Sequence, residues 1–420
     1  MPLTIQLDDA RPCYFGNETI RGRVVFESSI AIEIQDIRVT FTGVSKAKIQ
    51  KVKGAGAPAA NYRSKCILFE KEKIVQHLNG GALGPGSYEW PFEFIFPTVV
   101  QELSKWAQNP PFRSDANHPL PPTFAIETGD ESRKLKCGIE YFLQARMSRP
   151  QKGIIPTNTS LFVEEMRLKF LPNYALSDGH ESGYSEIYRQ QKEQNFNISS
   201  MLLLPANRGR ALSIQEKIQS WLFPSQLPRF SFTASFSYPT RVIQGSPLQC
   251  LLEVNPHIES SSVTSPPDIV MKAISLMVVS QTAARATPSL IGAMSAEIND
   301  RIDILSKTGL HIPVTGRVEI GELFGSLLFK HADVSFSTFN ISLGYRLSVK
   351  IVFECAGKTS ELNFSDMLFD VVADSKRPGK KDLAFETPES VEDAPPLYTP
   401  GDERRHQYAS GIFRGGHGDL

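Results

Sequence analysis

The sequence has no run of about 18 apolar residues, so no spanning helix is expected. Met1-Pro-Leu-Thr-Ile-Gln-Leu-Asp-Asp has no basic segment before a long apolar stretch, so no secretory signal is expected. The sequons at Asn17, Asn158, Asn197, Asn340 and Asn363 are then expected to stay unmodified. No charge of either sign is in excess. The 45 basic and 45 acidic side chains cancel, which excludes a nucleic-acid binder relying on net charge. Cysteine is scarce, odd in number and never in a C-x-x-C pair: Cys13, Cys66, Cys137, Cys250 and Cys355 read as reduced, buried thiols of a cytosolic protein. They form neither a disulfide framework nor a zinc site.

Catalytic signatures are missing as well. There is no G-x-S-x-G, H-E-x-x-H, Walker loop or dinucleotide fingerprint. Gly54-Ala-Gly-Ala-Pro lacks the third glycine and the Lys-Ser/Thr of a phosphate loop, and reads as a hairpin tip. The eight histidines are dispersed, and His77, His257, His311 and His331 are expected in surface or hydrogen-bonded roles. The chain is therefore read as non-enzymatic, without cofactor or metal. A hydrolase or lectin-like sandwich with an unrecognised site stays open, because geometry alone defines a triad.

What is present is strand. With 420 residues and 41% apolar content the chain has room for two or three domains. Short alternating segments recur at intervals of about ten residues, the pattern of a β-sandwich. They include Thr4-Ile-Gln-Leu, Thr19-Ile-Arg-Gly-Arg-Val-Val-Phe, Glu33 to Val44 and Cys66 to Val75. In Gly84-Pro-Gly-Ser-Tyr-Glu-Trp-Pro-Phe-Glu-Phe-Ile-Phe-Pro97, the residues Tyr88, Trp90, Phe92, Phe94 and Phe96 fall at every second position. Five aromatics on one face predict a central core strand, with Pro91 on the opposite face.

This segment resembles the G-x-Y-x-W-P-F-x-F-x-[FL]-P strand of arrestin-like N-terminal domains, especially those of fungal arrestin-related trafficking adaptors. Leu3 to Leu7, Tyr14-Phe-Gly-Asn-Glu-Thr-Ile-Arg-Gly-Arg-Val and Cys137-Gly-Ile-Glu-Tyr-Phe-Leu-Gln-Ala-Arg carry the same resemblance, with Val99 to Gly129 as the variable loop. Phe339-Asn-Ile-Ser-Leu-Gly-Tyr-Arg-Leu-Ser-Val is similar to the late strands of an arrestin C-terminal domain. The resemblance implies an all-β fold: two tandem arrestin-like, immunoglobulin-like β-sandwiches. These are placed at 1–172 and 228–373, joined by a connector at 173–227 and followed by a disordered tail at 374–420.

Within the connector, Ser213-Ile-Gln-Glu reads as a capping box. Ile214, Ile218, Trp221 and Leu222 fall at i, i+4, i+7 and i+8, one face of a short amphipathic helix that Pro224 ends. Docking on a sandwich is the favoured reading, and insertion of Trp221 and Phe223 at a membrane surface the other. The stretch from Gly179 to Gln194 reads as an exposed linker.

The tail is too charged to fold alone. It holds Pro395-Pro396-Leu397-Tyr398, whose prolines preset the extended polyproline II form that WW domains bind. Thr399-Pro400 reads as a phosphorylation site; Lys376, Lys380 and Lys381 read by default as a solvated basic patch and, as the other reading, as ubiquitin acceptors. The resemblance implies a trafficking adaptor that binds a plasma-membrane transporter or receptor and recruits a WW-domain HECT ubiquitin ligase for endocytosis. It would be cytoplasmic and peripherally recruited to plasma membrane or endosomes. Many such adaptors carry several motifs. Here one copy is complete, since Pro121-Pro-Thr-Phe and Pro266-Pro-Asp-Ile lack the tyrosine. A sorting scaffold acting without the ligase is the alternative.

Overall fold

The computed structural model describes residues 3–51, 60–78, 81–129, 133–149, 160–172, 188–207, 210–286, 294–329 and 332–373. The motif residues Pro395 to Tyr398, Thr399, Lys376, Lys380 and Lys381, the tail and His331 lie outside them.

The first half holds β1 (Leu3–Leu7), β2 (Thr19–Ser28), β3 (Ile32–Glu33), β4 (Asp36–Lys51), β5 (Ala60–His77), β6 (Ala82–Leu83), β7 (Gly86–Ile95), β8 (Phe124–Gly129), β9 (Arg133–Ser148) and β10 (Ser160–Leu168). A three-stranded sheet, β1-β2-β7, faces a five-stranded one, β10-β9-β4-β5 with β8 added beside β9. Side chains alternate in and out along each strand, so the two inner faces form one core. Phe41 of β4 meets Phe94 across the gap at 5.8 Å and Phe96 at 4.9 Å. Phe96 stacks on Phe170 at 4.5 Å.

The aromatic strand β7 buries Trp90, Phe92, Phe94 and Phe96 as expected. It is an edge strand, however, not a central one, because among the described residues it pairs with β2 alone. Pro91 explains this. It sits opposite Arg23 and has no N–H to offer a second partner, so only an edge accepts it.

The second half holds β11 (Arg189–Ser199), α1 (Ile214–Leu222), β12 (Arg229–Pro239), β13 (Arg241–Ile243), β14 (Leu251–His257), β15 (Ile269–Ala286), β16 (Met294–Pro313), β17 (Gly316–Glu319), α2 (Ile320–Phe324), β18 (Phe336–Ser337), β19 (Ile341–Cys355) and β20 (Lys358–Val372). One sheet runs β11-β12-β14-β17, the other β13-β20-β19-β15-β16 with β18 beside β19. Phe196 and Phe232 of the first sheet meet Phe353 of the second at 6.0 and 6.1 Å. The β19–β20 hairpin closes through Ala356 and Gly357, both at positive φ, as a two-residue loop matched to strand twist requires.

The expected linker is corrected at its C-terminal end: Arg189 to Ser199 is a strand, fully paired with β12. Its polar sequence hides it. Phe196 and Ile198 alone face the core, and pairing with a preformed neighbour supplies what local propensity does not. From Gly316 the chain forms the short strand β17 and then the single turn α2.

Candidate functional site

Two described regions combine buried polar groups with access from the surface. The first is the outer face of the β10-β9-β4-β5 sheet, which curves around a hollow of about 770 Å³. Because strand side chains alternate, the positions between the core residues of β4 and β9 all point here. Asp36, Arg38, Thr40, Thr42, Lys46, Gln144 and Arg146 are among them. Arg38 donates to Asp36 at 2.7 Å and to Glu72 at 2.9 Å. The Arg38 guanidinium holds the Asp36 carboxyl below the usual carboxylate range, against the opposing effect of burial. Asp36 Oδ1 and Arg38 Nε have no hydrogen-bond partner among the described residues. A buried acceptor beside an unused donor suits a polar peptide better than an apolar one.

The second region is the junction where the loop from Gln101 to Thr123 seats on the second sandwich. Arg285, at the end of β15, is buried with no carboxylate paired to it among the described residues. Its Nε donates to Phe339 O at 2.5 Å, Nη1 to Ala107 O at 2.9 Å and Nη2 to Arg113 O at 3.2 Å. Its guanidinium lies 4.8 Å from the rings of both Trp106 and Phe112. Burial lowers the pKa of this arginine. Carbonyl dipoles and ring faces take the role of a counter-ion, a geometry that the planar fork of arginine suits and lysine does not.

Beside it, Asn340 is fully buried between the halves. It accepts from Ser45 Oγ and donates to Ser64 Oγ at 2.8 Å, while Ser64 donates onward to Arg285 O at 2.8 Å. Its sequon is therefore enclosed in the junction. His118, 2% exposed, donates from Nδ1 to Asp115 O at 2.7 Å, which leaves Nε2 to accept from Thr338 Oγ1 at 3.2 Å. Burial pushes its pKa below the usual 6.5. Arg113 N–H donates to Thr338 O at 3.1 Å, and Ser337 Oγ donates to Pro111 O. The arrangement is a polar latch, in which Arg285, Asn340, Ser64, Arg113 and Ser337 donate across the two halves.

None of these junction residues stood out in the sequence. The available signal was a lone arginine in the apolar stretch Thr282-Ala-Ala-Arg-Ala286. Of the histidines singled out, His257 shares a hydrogen bond with Thr233 Oγ1 at 2.6 Å, and His311 lies 3.0 Å from the Lys272 ammonium. Both are exposed polar roles. The five cysteines are free; four are buried and Cys66 is half-buried. Burial pushes the Cys250 and Cys355 thiols up to about 12, which makes them poor nucleophiles. No group of three His, Cys, Asp or Glu side chains among the described residues could hold a metal ion. No helix among them is long and apolar enough to cross a membrane.

Residues 3–165 match the family model for the arrestin (or S-antigen) N-terminal domain. The match spans β1 through most of β10 and so includes both sheets of the first sandwich. No curated protein matches the chain.

Proposed function

We propose that this chain is an arrestin-like protein that works as a non-enzymatic trafficking adaptor, coupling a membrane-protein cargo to a ubiquitin ligase. The observation that carries the adaptor reading is the arrestin N-terminal match over residues 3–165. The polar hollow with its unused Asp36 and Arg38 atoms supports a peptide-binding role for that domain. In this reading the cytosolic segment of a transporter or receptor lies across the outer sheet face.

Ligase recruitment rests on Pro395, Pro396, Leu397 and Tyr398. A short motif in a charged tail raises the local ligase concentration near cargo lysines without a large interface. Glu389, Glu392 and Asp393 add long-range attraction to a basic WW surface, and phosphorylation of Thr399 adjusts the motif's charge. In this reading Lys376, Lys380 and Lys381 receive ubiquitin in their turn. The protein then acts at the cytosolic face of the plasma membrane or endosomes.

Titrating isolated WW domains of HECT ligases into the full chain and into Tyr398→Ala tests this. Micromolar binding reduced more than about tenfold by the substitution, a difference of about 1.4 kcal/mol, is expected. Equal binding, or none, removes the ligase from the account. The single complete motif favours a sorting scaffold as the reading that would then replace it.

A further inference from the structure

Helix α1 presents an apolar face that nothing among the described residues covers. Ile214, Ile218, Trp221 and Leu222 are 79%, 53%, 80% and 54% exposed, and Phe223 beyond the helix end is also exposed. At about 100° per residue the four helical positions fall within an arc of about 100°, the width of a buried stripe. Docking on a sandwich, the favoured expectation, is therefore corrected. The physical reason lies at the helix's start, which is held locally. Ser213 N–H donates to Glu216 Oε2 at 2.7 Å, Glu216 N–H to Ser213 Oγ at 3.3 Å, and Arg210 Nη2 lies 2.5 Å from Glu216 Oε1. Those contacts, led by Arg210, hold the Glu216 carboxyl down to about 2.

The surrounding charge is one-sided. Between residues 200 and 229 there are four cations, Arg208, Arg210, Lys217 and Arg229, and one anion, Glu216. The difference, 4 − 1, is three positive charges in a chain with no net charge. By the same rotation Lys217 borders the stripe and Glu216 lies opposite it, neutralised by Arg210.

We propose that α1 with Phe223 is an anchor for an anionic bilayer. Its stripe lies in the boundary between headgroups and acyl chains, with Trp221 and Phe223 buried there and Lys217, at the edge of the stripe, at the phosphates. A second copy of the chain suits the face less well, since pairing would press two segments of like charge together. The inference is independent of the ligase and cargo.

The test uses the full chain with vesicles of phosphatidylcholine alone and of phosphatidylcholine mixed with phosphatidylserine. Binding to the mixed vesicles should exceed binding to the neutral ones by about tenfold or more and weaken with salt. It should bring a blue shift in tryptophan emission. Trp221 is the reporter, since Trp90 is buried and Trp106 lies against Arg285. Trp221→Phe should keep most of the binding and lose the shift. The double variant Ile218→Asp/Trp221→Asp should lose binding at least about tenfold with its melting temperature unchanged, because the face packs against none of the described residues. Tyr398→Ala should bind vesicles like the unsubstituted chain, so this anchor and the ligase motif fail separately. The proposal is overturned by any of four outcomes: no vesicle binding, equal binding by the double variant, a dimer that the double variant dissolves, or a lowered melting temperature in that variant. The last two would assign the face to a second copy or to the chain itself.

Discussion

The loop carrying Trp106 and the segment carrying Trp221 are both long, non-strand excursions from the sandwiches, and they end in opposite states. Trp106 lies 4.8 Å from the Arg285 guanidinium, which also ties down Ala107 and Arg113. Trp221 is 80% exposed on a helix fixed by its own cap. The contrast separates two sources of order. A loop with unpaired carbonyls gains shape from donors supplied elsewhere in the fold, whereas a helix satisfies its own backbone and needs only its ends closed. The first kind of segment couples the two halves of the molecule. The second leaves an apolar face available to something outside it.

The largest way to break the contrast is Arg285→Ala. It strips donors from Phe339, Ala107 and Arg113 and opens the packing under Trp106 and Phe112. A loss of about 3 kcal/mol in denaturant unfolding is expected, with Trp106 emission shifting red before the global transition. Arg285→Lys should recover only part of this, because one ammonium cannot reach three carbonyls and two rings together. Next is Asn340→Ala, which leaves Ser45 and Ser64 short of a partner across the junction. About 2 kcal/mol is expected, and a double-mutant cycle with Arg285→Ala should show strong coupling through Ser64.

On the other side of the comparison, Ser213→Ala should cost about 1 kcal/mol of local helix stability. Faster amide exchange at residues 214–217 with no change in global melting would show it. The smallest effect is one of pH. The folded-state pKa of His118 is depressed, so the unfolded chain binds its proton more readily. Stability from this residue is complete above about 6.5, the unfolded value, and is lost as pH falls below it toward the folded one. Melting temperature should decline from pH 7 to pH 5, and His118→Gln should flatten that slope.

Much of the architecture was legible. Alternation of Trp90, Phe92, Phe94 and Phe96 identified a core-facing strand, because a two-residue period leaves no other way to bury four rings together. Ser213 and Glu216 marked a helix start, because their hydrogen bonds are local to four residues. The position of the aromatic strand within its sheet was less legible. Pro91 carried the signal, but its meaning depends on which strands flank it. Strand β11 was hidden because nine of its eleven residues between Arg189 and Ser199 are neither Phe196 nor Ile198 and carry polar groups. Its order comes from β12.

What the sequence by itself determined are the features that depend on near neighbours: alternation, capping and the proline motif ending at Tyr398. These follow from backbone geometry and the direction of side chains within a few residues. Only the tertiary structure decided the latch. Ser45 and Asn340 are 295 residues apart, and Arg285 meets Ala107 across 178. No local pattern encodes such meetings, since each partner alone is an ordinary polar residue until the two sandwiches bring it out of water. The same holds for α1, whose apolar stripe was visible in the sequence while its exposure was not. Whether a face is covered depends on every other surface in the chain.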